Sequence, residues 1–229
     1  MFSYRLFAWK KSKIERQKQL NELQLKAIRS KALPHFTGNS FANIDFYIEK
    51  GDTENASRYL AILSRLHNIT LADSDKPSRS IEEEIDYVKL YLQMEKLRFE
   101  HKLEYLIEVD PSIDQEQQVP NMVLHTYAEN ALKHGLKHKD GNGLIVIKVI
   151  NQHGGVLLSV TDNGIGREAA ARMKSFGTQQ GLAILGKQIE LYNQQNKEKM
   201  VQEVVDMLDE EGRVVGTRFA IFIPSNFKY

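Results

Sequence analysis

Near residue 103 the apolar residues of this chain stop recurring every three or four positions and begin to alternate. Upstream, Leu20, Leu23, Ala27 and Ser30 follow helical steps, with Leu25, Ile28 and Ala32 on a neighbouring stripe. Downstream, Leu103, Tyr105, Ile107 and Val109 share one face of a strand. Side chains return to the same face about every 3.6 residues on a helix and every two on a strand, so the switch divides a helical part from a part built on a sheet.

The helical part reads as a hairpin. One long helix spans residues 14–50 and stops at Gly51-Asp52. A second begins near Thr53, which is placed to cap it, with Ala56, Tyr59, Leu60, Leu63 and Leu66 as its apolar stripe. Narrow seams with charged flanks suit a bundle, and a hairpin that exposes one such face needs a partner. Asp73–Ser80 contains Asp-Ser-Asp-Lys-Pro and reads as a linker. Ser80 then caps a third helix, with Glu83 completing a capping box and Ile81, Ile85, Val88 and Leu92 as its stripe.

In the second part the strand 103–109 is followed by a helix from Pro120 to His134, with Gly135 placed to end it in a left-handed cap. Leu144–Ile150 and Val156–Thr161 form a hairpin across His153-Gly154-Gly155. Helices at Arg167–Lys174 and Leu182–Asn193 come next, then a hairpin of Met200–Leu208 with Thr217–Ile223. The expected fold class is α+β, with helices on one face of a mixed sheet. The chain divides into 1–13, a basic and aromatic stretch; 14–75, the helical region; and 76–229, the sheet-containing domain.

Composition narrows the chemistry. There are no cysteines, so disulfides, thiolate metal sites and cysteine nucleophiles are excluded. The net charge is +1, which gives no reason to expect a nucleic-acid partner. Residues 1–31 nevertheless carry nine basic side chains against Glu15 and Glu22. The aromatic opening followed by Lys10-Lys11-Ser12-Lys13 reads equally as the edge of a membrane segment or as a basic terminus.

Three short motifs carry chemistry. In Glu129-Asn130-Ala131-Leu132-Lys133-His134-Gly135, the amide, ammonium and imidazole of Asn130, Lys133 and His134 share a helix face and could hold a metal–phosphate group. Asp162-Asn163-Gly164-Ile165-Gly166 puts a carboxylate at a strand end beside backbone that a flat ligand can approach. Gly177-Thr178-Gln179-Gln180-Gly181-Leu182 leads into a helix whose free amides suit phosphate. Singly, each reads as well as an amphipathic helix end, a turn or a surface loop.

In this order and spacing they resemble the ATP site of the GHKL superfamily over roughly residues 100–225. The resemblance implies a Bergerat-type α/β sandwich that binds ATP and Mg²⁺. Asn130 would ligate Mg²⁺, Glu129 would orient or deprotonate a reacting group, and Asp162 would bind adenine. Gly164 and Gly166 would shape the pocket floor, Thr178 lies in the phosphate loop, and Gly177, Gly181 and Leu182 would form a lid hinge.

Residues 25–50, around Pro34-His35-Phe36 and Asn39, resemble the phosphoacceptor segment of LytS-type sensor histidine kinases, as does Val119-Pro120-Asn121-Met122. Thr37-Gly38 stands where Leu-Phe is usual, and Gln179 where glycine is common. The resemblance implies autophosphorylation on His35, with Asn39 orienting the imidazole, and transfer to an aspartate of a response regulator, which in relatives of this family commonly carries a LytTR domain. It also implies a homodimer through the hairpins and a location in the cytoplasm at the inner face of the bacterial plasma membrane, reached through a preceding segment. The competing readings are a weak kinase-like scaffold and a GHKL ATPase or chaperone clamp.

Overall fold

The computed structural model describes residues 35–73, 76–99, 102–173 and 180–229, with backbone alone at 35–40 and 180. The basic stretch 1–13, the helix before residue 35 and Pro34 lie outside these residues. The first described helix, α1 (His35–Glu49), turns at Lys50–Asp52 into α2 (Thr53–Ala72), giving the expected hairpin. Asp52 caps α2, in place of Thr53: its carboxylate accepts the Asn55 amide at 3.1 Å and the Asn55 side-chain nitrogen at 2.7 Å. A carboxylate outcompetes a hydroxyl there because it also meets the positive end of the helix. Ala56, Tyr59, Leu63 and Leu66 are buried as the stripe requires. Leu60 does not belong to it. At 50% exposure it points away, since one residue beyond Tyr59 is a rotation of roughly 100°.

The stretch expected as a linker is built into the fold. β1 (Ser78–Ser80) pairs antiparallel with β3 (Gln118–Pro120), and Asp73 and Arg79 are both buried and ion-paired at 3.2 Å. The composition of a turn is borne out at the Lys76 amide, which donates to the Asp73 carbonyl at 3.0 Å, but buried partners tie residues 78–80 into the sheet with β3. α3 (Ile81–Arg98) carries the expected capping box: Ser80 Oγ accepts the Glu83 amide at 3.1 Å, and Glu83 Oε2 accepts the Ser80 amide at 2.9 Å.

The sheet is mixed. β2 (Leu103–Val109), β4 (Gly143–Gln152), β5 (Gly155–Asp162), β7 (Val214–Pro224) and β6 (Val201–Leu208) lie in that order, with β2–β4 parallel and the rest antiparallel. Alternation places Ile145, Ile147, Val149, Val156, Leu158 and Val160 in the core, while Leu106 and Ile150 face outward. α4 (Val123–Asn130) and α6 (Gln180–Gln195) contribute Leu124, Tyr127 and Leu185 to the same core, and Tyr127 stacks on Phe219 of β7 with ring centroids 5.7 Å apart. The short helix expected at 167–174 is α5 (Arg167–Arg172), which ends at Met173.

This is the expected α+β architecture, a helical region followed by an α/β sandwich. One hydrophobic cluster runs from Tyr47 of the hairpin to Ile223 of the sheet, and the Tyr47 hydroxyl donates to the Leu97 carbonyl at 2.8 Å. No described helix is long and apolar enough to cross a membrane.

Ser80→Ala removes one half of the capping box and leaves the Glu83 amide without its partner. The expected loss of stability is about 1 kcal/mol, read as a lower urea midpoint with unchanged slope.

Candidate functional site

The site begins with a helix whose start the sequence reading misplaced. Pro120 belongs to β3, and Met122 sits in the left-handed region at φ 68° before α4 opens at Val123. No side chain of α4 itself caps it. The buried carboxylate of Glu84, on α3, does so instead: Oε1 accepts the Met122 amide at 2.5 Å and Oε2 the Leu124 amide at 3.0 Å. Burial raises the Glu84 pKa against the pull of Arg79 and these two amides.

The far end of α4 was misjudged as well. Gly135 does not stop the helix in a left-handed cap; the chain widens into a π-helical turn, Ala131–Leu136, and continues through it. The glycine is needed for space. A Cβ at Gly135 would lie 2.6 Å from Asp162 Oδ1, and a Cβ at Gly164 would run into the Gly135 backbone. The Ile165 amide donates to the Gly135 carbonyl at 3.1 Å. The first and second motifs therefore interlock, backbone against backbone.

This arrangement fixes what each side chain presents. Asn130 is buried, and its Nδ2 donates to the Thr126 carbonyl at 2.7 Å, leaving the amide oxygen as the atom to offer a ligand. Lys133 Nζ lies 2.6 Å from Glu129 Oε1, an ion pair across one turn. His134 is half-buried, and its pKa is lowered by burial first and by Lys133 second, so the ring is neutral near pH 7.

Asp162 ends β5 between β4 and β7, only 3% exposed. Its Oδ1 accepts the Gly164 amide at 2.8 Å, whereas Oδ2 is buried and makes no hydrogen bond among the described residues. Burial pushes the pKa up to about 6, opposed by the backbone amides of Gly164 and Thr217. A buried carboxylate oxygen without a partner is costly unless something outside the chain supplies a donor.

The loop after Asp162 is pinned by Asn163, whose Oδ1 accepts the Leu144 amide at 2.8 Å. Gly166 then adopts φ 79°, ψ 166°, a backbone conformation essentially restricted to glycine. At the start of α6, a Cβ on Gly181 would come within 3.5 Å of Thr126 Cγ2, 3.7 Å of Glu129 Oε2 and 3.8 Å of Asn130 Nδ2. The first turn of α6 therefore rests against the Glu129–Asn130 face, and Leu182 packs onto the core.

Glu129, Asn130, Gly135, Asp162, Gly164 and Gly181 are thus drawn together, with Lys133 and His134 on the adjoining turn. Gly177 and Thr178 lie outside the described residues, as do the side chains of His35 and Asn39. Sequence reasoning missed Glu84, one of three consecutive glutamates with nothing to single it out. It also missed Gly216, where a Cβ would overlap the Asp162 carbonyl; an isolated glycine inside a strand pattern was the available signal. The assembled site offers a buried acceptor at one end and an amide oxygen beside a helix N-terminus at the other. Such a set of groups can read a donor on a flat ring and hold an anion with its metal.

Residues 23–103 match the profile of the family described as histidine kinase. The sensor histidine kinase BtsS of Escherichia coli K12 is 32% identical over 152 residues, covering 65% of this chain and 26% of that protein. The sensor protein LytS of Staphylococcus saprophyticus is 28% identical over 147 residues, covering 64% and 24%. The chain thus spans about a quarter of the length of these relatives. The histidine kinase domain of a blue-light activated kinase from Erythrobacter litoralis superposes with a TM-score of 0.45 at 16% identity, over 89% of this chain and 96% of that one. Motifs and sequence relatives thus agree that the chain is similar to the histidine kinases, and among them to sensor kinases of LytS type.

Proposed function

We propose that this chain binds ATP with Mg²⁺ between Asp162 and Asn130 and transfers the γ-phosphoryl group to His35. The observation that carries the reading is the buried, unpartnered Oδ2 of Asp162, opposite the face where α6 meets Glu129 and Asn130. The adenine amine is a donor suited to that oxygen. Gly135 and Gly164, which admit no Cβ, let the π-helical turn and the loop after β5 close on each other beside Asp162 and hold its carboxylate in place.

A divalent cation fits the amide oxygen of Asn130, a hard donor whose nitrogen is already bound to Thr126. Bound there with phosphate, Mg²⁺ would supply charge neutralisation at the β- and γ-phosphates. Lys133 would leave Glu129 to meet the phosphates, which frees the Glu129 carboxylate for the histidine. A ring nitrogen of His35 attacks the γ-phosphorus, an N–P bond forms as the P–O bond to ADP breaks, and Glu129 takes the displaced ring proton. Asn39, one helical turn from His35, would orient the ring, and Gly177, Thr178, Gly181 and Leu182 would close over the nucleotide. The phosphoryl group then passes to an aspartate of a response regulator.

The working unit we propose is a homodimer. Phe41, Ile48 and Leu71 on the helical hairpin are 59%, 58% and 52% exposed, an apolar surface suited to packing against a second hairpin. In this reading the chain works on the cytoplasmic side of the membrane, beside whatever segment precedes it.

With γ-labelled ATP, wild type is expected to retain acid-labile, base-stable label and His35→Ala to retain none. ATP binding without label in wild type would instead favour a kinase-like scaffold, and phosphate release unaffected by His35→Ala an ATPase clamp. Asn130→Ala should weaken Mg²⁺-dependent nucleotide binding about a hundredfold with the fold intact by circular dichroism; unchanged affinity would remove the metal assignment.

Asp162 generates a pH signature. Its folded pKa, about 6, lies above the ordinary 3.8, so its contribution to stability is full below the lower value and lost as pH rises through the higher. Relative to Asp162→Asn, nucleotide-free wild type should lose about 2 kcal/mol between pH 4 and 7, read from urea unfolding at each pH. Parallel curves for the two proteins would show that the carboxylate is not desolvated.

A further inference from the structure

The nucleotide face is joined to the helical hairpin by a buried chain of charges that no sequence motif announces. Asp73, where α2 ends, is 7% exposed; its Oδ2 lies 3.2 Å from Arg79 Nη2 and its Oδ1 2.7 Å from Lys76 Nζ. Arg79, 1% exposed, places Nε 3.3 Å from Glu84 Oε1, Nη2 3.6 Å from Met122 Sδ, and its guanidinium 4.9 Å from the Tyr87 ring centroid. Glu84, with no exposed surface, accepts the Met122 and Leu124 amides that open α4. The Asn121 side chain donates to the carbonyls of Asp73 at 3.0 Å and Lys76 at 3.3 Å, so backbone follows the same route.

These bonds connect two elements that must be brought to a common geometry. α2 is the second helix of the hairpin whose first helix carries His35, and α4 ends at Glu129 and Asn130. Each charge in the chain is removed from water, so it is stable only while its neighbour stays within bonding distance. A shift of the end of α2 moves Asp73, and Arg79 and Glu84 must follow it or be left unpaired inside the core. α4 is eight residues long and is held at its start by Glu84, so a displacement there is carried to Asn130 about 10 Å along the axis.

We propose that Asp73, Arg79 and Glu84 are positioning residues that couple the hairpin to the nucleotide site, with Glu84 setting the nucleotide-binding helix and Asp73 setting the hairpin against it. The proposal rests on the kinase reading above. It assigns the two carboxylates separable effects: Glu84 acts on nucleotide affinity, and Asp73 on transfer from bound nucleotide to His35.

The test uses the full chain and two isosteric variants. Glu84→Gln puts an amide group against the helix amides, and its KM for ATP is expected to rise about tenfold. Asp73→Asn keeps the Arg79–Glu84 pair and the cap, so KM should stay at the wild-type value while the rate of His35 labelling falls about tenfold, with Asp73→Glu restoring part of it. Amide hydrogen exchange gives a readout independent of chemistry: ATP should slow exchange in the last turn of α2 in wild type and leave it unchanged in Asp73→Asn. If wild type binds ATP but takes no label, the kinase reading falls while the exchange experiment still decides the coupling. Asp73→Asn matching wild type in rate and exchange, or losing affinity and rate together, would overturn it.

Discussion

A helix that starts inside a protein core must find acceptors for its first amide groups, because no water is there to take them. α4 meets this requirement with the carboxylate of Glu84, borrowed from α3. That choice constrains much of the molecule. The carboxylate is itself buried and needs Arg79; Arg79 is buried and needs Asp73; and Asp73 lies where α2 ends. The β1–β3 pairing and the side chain of Asn121 hold the two strands of this arrangement in register. The left-handed conformation of Met122 fits the same picture, since it turns the chain from β3 into α4 with its amide aimed at Glu84.

At its other end α4 is fixed by close packing of backbone. Gly135 and Gly164 approach until neither can carry a side chain, and the Ile165 amide closes the junction on the Gly135 carbonyl. The π-helical turn lets the chain pass Asp162 without breaking the element, so the helix that carries Asn130 continues unbroken to the glycine that packs on Asp162. Rigid support of this kind suits a site in which catalysis depends chiefly on positioning.

Much of the fold could be read from the sequence, because it rests on periodicity. The strand at 103–109, both later hairpins and the Ser80–Glu83 capping box are where the pattern put them. Errors arose where a local signal met a tertiary demand. Asp52 rather than Thr53 caps α2, and the Pro-containing stretch after Asp73 is held by buried ions rather than left as a linker. Gly135 looked like a helix stop, yet it is small for the sake of Asp162, 27 residues downstream. The three motifs marked the chemistry by residue type, but the partner of Glu84 lies 38 residues away in sequence, and no local pattern encodes such a distance. The resemblance to the histidine kinases came from the same motifs, read together in their order and spacing.

The single parallel pair in the sheet carries a consequence for synthesis of the chain. β2 and β4 run the same way, so the stretch between them must cross back over the sheet, and that crossover contains α4. Asp162 is then flanked by Ile145 of β4 and Thr217 of β7. The surroundings of Asp162 therefore have no complete precursor in any nascent chain that ends before residue 217: a polypeptide still emerging from the ribosome would hold its helical hairpin and the first strands, yet lack one wall of this site until β7 has been made.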